Sequence, residues 1–140
     1  MAFFFFGTLM DREVLERVVD RPVAGGELAP ARLAGFRRVR SACGTYPLLV
    51  PGQDGIVEGV LLKAASLRDA RRIAHFEGEE YESRWLTVRI EGGAPVRARV
   101  FFARAAVGRT DEPWDLELWA AAHKKAFLEQ CGDWMRGCPS

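Results

Sequence analysis

Hydrophobic and polar positions along this chain change their spacing from segment to segment, and each spacing predicts an element. Ala2 to Phe6 is a continuous apolar run, as expected of a strand buried on both faces. Asp11 is placed to cap a short helix whose Val14, Leu15, Val18 and Val19 share one stripe. Residues 21–50 are punctuated by Gly and Pro, which predicts irregular strands and turns. Ile56 to Lys63 reads as a strand interrupted by Gly59, where a glycine marks a bend or a close backbone approach. Ser66 opens the clearest helix, with Asp69 completing a capping-box pair and Gly78 as the stop. Its expected apolar stripe is Leu67, Ala70, Ile73 and Ala74. Leu86, Val88 and Ile90 alternate with Thr87, Arg89 and Glu91, a half-buried strand over 84–91. Val96 to Ala103 follows Gly92-Gly93 as its hairpin partner. A final helix starts near Pro113, with Trp119, Ala122, Ala126, Phe127, Cys131 and Trp134 as its buried face. Strands and helices in this order specify an α+β fold, not alternating parallel units.

Composition narrows the picture. With 140 residues and 49% apolar content, residues 1–140 read as one globular domain able to bury a core. The net charge of +1 excludes an electrostatic case for nucleic acid or an anionic membrane surface. Arg37, Arg38 and Arg40, and Arg68, Arg71 and Arg72, read as cover for the solvent sides of a strand and a helix. No segment approaches the ~20 apolar residues of a membrane span. The phenylalanine run is too short for a signal peptide and lacks a basic leader. Cys43, Cys131 and Cys138 are odd in number and have no CxxC spacing, so neither a disulfide framework nor a metal site is expected. A cytoplasmic protein is the default. HExxH, P-loop, dinucleotide GxGxxG and GxSxG patterns are all absent. His75 and Glu77 stand two apart and do not face each other on a helix. His123 reads as a boundary packing residue, and Trp114, Trp119 and Trp134 as core or dimer surface.

Two short segments, about 70 residues apart, carry the candidate chemistry. The first is Phe6-Gly7-Thr8-Leu9, where an apolar strand runs into a glycine turn. Gly7 frees the backbone and admits a ligand without a Cβ in the way. Amides of Gly7, Thr8 and Leu9 can then face one carboxylate or carbonyl oxygen. The second is Phe76-Glu77-Gly78-Glu79-Glu80-Tyr81. Glu77 lies at a helix C-terminus, where the macrodipole disfavours an anion. Glu79 and Glu80 add like charge, and Phe76 and Tyr81 add apolar cover. All three push its pKa above the ~4.3 of a free glutamate, as a general base near neutral pH requires.

Phe6-Gly7-Thr8-Leu9 and Glu77-Gly78 together resemble the gamma-glutamylcyclotransferase-like, or AIG2-like, family. Its first strand ends in Tyr-Gly-Thr-Leu, and its Glu-Gly pair carries the catalytic acid. Tyr46-Pro47 is similar to the family's Tyr-Pro stretch, Val57-Glu58-Gly59-Val60 to its Val-x-Gly strand, and Tyr81 to the tyrosine after the acidic turn. The resemblance runs from Phe3 to Val88, with two departures. Phe6 replaces the motif tyrosine, and Ser83 stands where an arginine is common, with Arg84 next door on the opposite face. The resemblance implies a small mixed β-barrel with packed helices and a pocket at one mouth. It implies cyclisation of a small gamma-glutamyl amine or amino acid to 5-oxoproline with release of the amine, and no cofactor. By the same resemblance Glu77 is the catalytic residue, and Phe6, Gly7, Thr8, Leu9, Tyr46 and Tyr81 contact substrate. The two departures motivate a rival, a non-catalytic small-molecule or protein-binding domain on the same fold. A homodimer is left open, as is a lid made by residues 104–113.

Overall fold

The structure, a computed structural model, describes residues 1–42, 46–104 and 108–138. Cys43 and the Gly44-Thr45 part of the Tyr-Pro segment lie outside these residues, as do 105–107. Six strands are described: β1 (Phe3–Phe5), β2 (Leu28–Ser41), β3 (Pro47–Leu62), β4 (Tyr81–Ile90), β5 (Pro95–Ala103) and β6 (Arg109–Pro113). Three α-helices accompany them: α1 (Arg12–Val19), α2 (Leu67–Glu77) and α3 (Leu116–Arg136). Hydrogen bonding runs β3–β1–β5–β4–β2, and β2 pairs back to β3, which closes a five-stranded barrel. β1 and β5 are parallel and the other pairs antiparallel, so the barrel is mixed. This is the α+β mixed barrel with packed helices that the sequence leads one to expect.

Alternation along β1 divides the core in two. Phe4 and Phe6 fill the barrel interior with Leu33, Val57, Val88 and Val100. Phe3 and Phe5 face outward, under the helices, against Leu15, Ile73 and Trp119. The expected stripe of α1 is fully buried: Val14, Leu15, Val18 and Val19 are 0% exposed. Asp11 caps it, accepting from the N–H groups of Glu13 at 3.0 Å and Val14 at 3.2 Å.

β2 and β3 depart most from expectation. Leu28–Ser41 and Pro47–Leu62 form two long paired strands, not an irregular stretch followed by a short strand. Gly and Pro do not end these strands but bend them. The register shifts between Ala34 and Phe36, around Gly35 at φ 91°. The outer arm beyond this bulge, Phe36–Ser41 with Pro47–Pro51, also receives β6. Residues 109–113 are therefore sheet, and α3 starts at Leu116 with Asp115 as its cap. Gly59 behaves as expected. A Cβ there would collide with the Phe5 carbonyl oxygen and the Phe4 ring.

The helix faces need correction. In α2, Leu67 and Ala74 are exposed, and Asp69, Arg72, Ile73 and Phe76 are buried. Asp69 is inside because it pairs with Arg21 at 2.9 Å while capping the Ser66 N–H at 3.0 Å. Burial opposes its charge, but these hydrogen bonds win and hold its pKa below the usual carboxylate value. In α3, Ala122 and Ala126 face solvent, as does His123, while Trp119, Cys131 and Met135 are buried. Ala122 stands nine residues before Cys131, half a turn round the helix, so the two cannot share a face. Nor do all the arginines coat solvent. Arg72 is buried and donates to the Val18 carbonyl at 2.6 Å, and Arg68 donates to that of Val19 at 2.7 Å, both at the end of α1.

Gly59→Ala forces a methyl group against backbone and an aromatic ring, so it should destabilise by about 3 kcal/mol. Gly25→Ala, with nothing within 4 Å, should be near neutral. Denaturant midpoints measure both; equal midpoints for the two variants would contradict this account of the β1–β3 contact.

Candidate active site

The site begins where β1 leaves the barrel. After Phe6 the chain turns at Gly7 into a single 3₁₀ turn, Thr8–Met10. Gly7 has φ −127°, so a left-handed conformation is not what calls for glycine. The reason is crowding: a Cβ would meet Pro47 Cγ at 2.9 Å and Cδ at 3.2 Å. Pro47 thus seats the outer arm of the β2–β3 pair directly on the turn. Met10 N–H donates to Gly7 O and Asp11 N–H to Thr8 O, each at 3.0 Å. These bonds begin at Met10, so the N–H groups of Thr8 and Leu9 precede the turn's own ladder. Arg38 fixes the other side, donating at 2.9 Å to the carbonyls of Phe6 and Glu58, with Trp114 under its guanidinium at 5.8 Å. Burial pulls the Arg38 pKa below its usual value, against the opposing pull of Asp115 and Glu58. Arg38 is therefore a structural clamp on the strand exit, not surface cover.

Glu77 is the last residue of α2, and Gly78 at φ 78° ends the helix behind it. Phe76 packs edge-on to Phe127 at 5.9 Å and lies 5.9 Å from Trp134. Glu77 itself is half-buried and lines the cavity beside these rings, and desolvation pushes its pKa up to about 8. Among the described residues no hydrogen bond or counter-charge offsets that burial. Of the three influences expected from the sequence, desolvation accounts for this rise. Glu79 and Glu80 are exposed, where water screens their charge.

The remaining predicted contacts come from two other elements. Tyr81 opens β4 and Tyr46 precedes β3; their rings meet edge-on at 6.1 Å and their hydroxyls share a hydrogen bond. Burial first, then Tyr46 and the negative charge of Glu77, raise the Tyr81 pKa, so it stays a neutral phenol. Ser83 accepts from Arg99 Nη2 at 2.7 Å, and Arg84 lies over the Phe102 ring at 4.7 Å. Neither Ser83 nor Arg84 lines the cavity described next.

One cavity of about 670 Å³ joins these parts. Phe6, Gly7, Thr8, Leu9, Tyr46, Glu77 and Tyr81 all line it. Thus the glycine turn and the acidic helix end, distant in sequence, share one space. Sequence reasoning missed the α3 wall, Phe127, Gln130 and Trp134, whose i, i+3, i+7 spacing puts them on one face. Trp134 is 52% exposed and belongs to the cavity rim, so it is not core. Trp114 and Trp119 are core, as expected. His75 turns away from Glu77, its Nε2 lying 3.1 Å from the Trp134 carbonyl oxygen. Among the described residues no cluster of three or more His, Cys, Asp or Glu is placed to hold a metal. No helix among them is long and apolar enough to cross a membrane.

Comparison with known proteins gives consistent matches. The profile of the family described as "Gamma-glutamyl cyclotransferase, AIG2-like" matches residues 3–135. AIG2-like protein A of Arabidopsis thaliana is 30% identical over 129 residues, covering 90% of this chain and 76% of that protein. AIG2-like protein B of the same plant is 26% identical over 131 residues, with coverage of 90% and 73%. A solution structure of an Arabidopsis thaliana protein superposes with a TM-score of 0.66 at 26% identity, covering 92% of this chain and 86% of that one. A solved structure titled "Gamma-glutamyl cyclotransferase" superposes with a TM-score of 0.61, covering 99% and 88%; at 13% identity it speaks for the fold alone.

The burial of Glu77 sets the sign of a stability test. Its carboxyl holds a proton more tightly when folded, at about 8, than when unfolded. The stabilisation from that proton is complete below the unfolded value of ~4.3 and is lost as pH rises through about 8. Relative to Glu77→Gln, the native chain should lose stability between pH 5 and 8. The slope is at most about 1.4 kcal/mol per pH unit, and smaller to the extent that cavity water reaches the carboxylate. Unfolding curves at several pH values measure it; a pH-independent difference would refute the buried-carboxyl assignment.

Proposed function

Because the chain belongs to the gamma-glutamyl cyclotransferase, AIG2-like family, we propose that its cavity cyclises a small gamma-glutamyl compound to 5-oxoproline and releases the amine. The observation that carries the proposal is the uncompensated Glu77 carboxyl facing the same cavity as the β1 exit turn. Both reacting groups belong to one substrate, so the protein's tasks are to hold the folded-back rotamer and to move protons.

Glu77 takes a proton from the substrate's α-ammonium. The freed nitrogen attacks the γ-carbonyl carbon, closing a five-membered ring, and the carbonyl oxygen becomes an oxyanion. The oxyanion re-forms the carbonyl and the C–N bond to the leaving group breaks as Glu77 returns the proton to the departing amine nitrogen. The ring nitrogen gives up its second proton to the freed carboxylate, which passes it to the released amine to give its ammonium form. A carboxyl of pKa about 8 is matched to an α-amino group near ~8, so neither transfer is steeply uphill. Amides of Gly7, Thr8 and Leu9 bind substrate oxygen, carboxylate or oxyanion, without a charged side chain. The hydrogen-bonded Tyr46–Tyr81 pair lines the pocket and contacts substrate. Phe6 packs in the barrel interior, and no step here draws on a hydroxyl at that position. No metal or organic cofactor enters these steps.

Incubation with gamma-glutamyl amines and gamma-glutamyl amino acids should yield 5-oxoproline, and Glu77→Gln should slow turnover by roughly 10²- to 10⁴-fold. Because Glu77 must be ionised and the substrate's α-amine protonated, kcat/KM should be bell-shaped in pH, rising towards about 8 and falling above it. Tight binding without ring product, unaffected by Glu77→Gln, would favour the binding-domain reading instead.

A further inference from the structure

The proposed head-group contacts leave most of the cavity unused. A volume of about 670 Å³ is the size that holds a drug-sized ligand, far more than a glutamyl group requires. Beyond Glu77, the exit turn and the tyrosines, the wall is formed by Phe76, Phe101, Phe127, Gln130 and Trp134. Three of these rings are mutually braced, Phe76 against both Phe127 and Trp134, which makes a preformed apolar surface. Trp134 stands half in solvent at the rim, while its backbone is tied to α2 through His75. Packed against Phe76, the indole offers a ring face at a reduced ordering cost.

Charge gives a second, independent constraint. The charged residues lining the cavity are Glu77, Glu79 and Glu80, and no Lys, Arg or His is among the described lining residues. A leaving group carrying its own carboxylate would find no cation among these lining residues to offset its desolvation, a costly placement in a partly desolvated site.

Resting on the cyclisation reading above, we infer that the physiological leaving group is an amine bearing an aromatic or bulky apolar group and no carboxylate, seated on Trp134, Phe127 and Phe76. Trp134 is then a specificity residue and takes no part in proton transfer.

Three compounds separate the contributions: the gamma-glutamyl phenethylamide, the gamma-glutamyl methylamide and gamma-glutamyl-phenylalanine. The first carries the ring alone, the second neither ring nor carboxylate, the third both. The phenethylamide should exceed each of the others in kcat/KM by about tenfold or more, largely through KM. Trp134→Ala should shrink the ratio of phenethylamide to methylamide several-fold, and Trp134→Phe should restore most of it. Equal kcat/KM for all three overturns this inference and leaves the cyclisation reading intact. If none yields 5-oxoproline, the cyclisation reading fails. Calorimetric Kd values for the same compounds then decide the preference, equal values overturning it and tighter phenethylamide binding upholding it.

Discussion

The site depends on one half-buried carboxyl group left without a partner among the described residues. Asp69, the buried acid of α2, is by contrast compensated by Arg21 and the Ser66 N–H. Glu77 has neither counter-charge nor hydrogen bond among the described residues, and the cost of its desolvation appears as a pKa of about 8. Such a group disfavours the folded state in its charged form. Unfavourable local arrangements of this kind collect where function requires them.

The barrel explains how the carboxyl and the glycine turn come to share a cavity. β1 ends beside β3 and β5, so its exit emerges at one end of the closed sheet. Ser66 and Asp69 start α2, Ile73 and Phe76 fix its buried face, and Gly78 stops it with Glu77 at that end. The bulge in β2–β3 swings the outer arm over so that Pro47 touches Gly7 and Tyr46 reaches Tyr81. Arg38, from the same arm, ties down the Phe6 carbonyl. Each of these placements follows from packing, and together they leave room for a ligand between barrel and helices.

The sequence made some of this legible and hid the rest for identifiable reasons. Phe3 to Phe6, the α1 stripe, the Ser66 cap and the β4–β5 hairpin are local patterns, and the structure holds all four. β2 and β3 were obscured because their glycines and prolines, ordinarily strand breakers, serve here as bends. Buried Asp69 and Arg72 replaced Leu67 and Ala74 on α2 because ion pairing and carbonyl capping, which hydropathy does not register, decide which face turns inward. Arg38 was unreadable for the same cause. Glu77 stood out through its neighbours, although the charges of Glu79 and Glu80 proved less important than the apolar cover. The α3 wall depends on tertiary contact alone, and only its i, i+3, i+7 spacing offered a clue.

The carbon-detected NMR titration of the Glu77 side chain tests the central claim most directly. The account predicts a midpoint near 8, several pH units above an ordinary glutamate. A midpoint at or below the ordinary ~4.3 would mean that the carboxyl is hydrated or paired, and the proposed base would be lost.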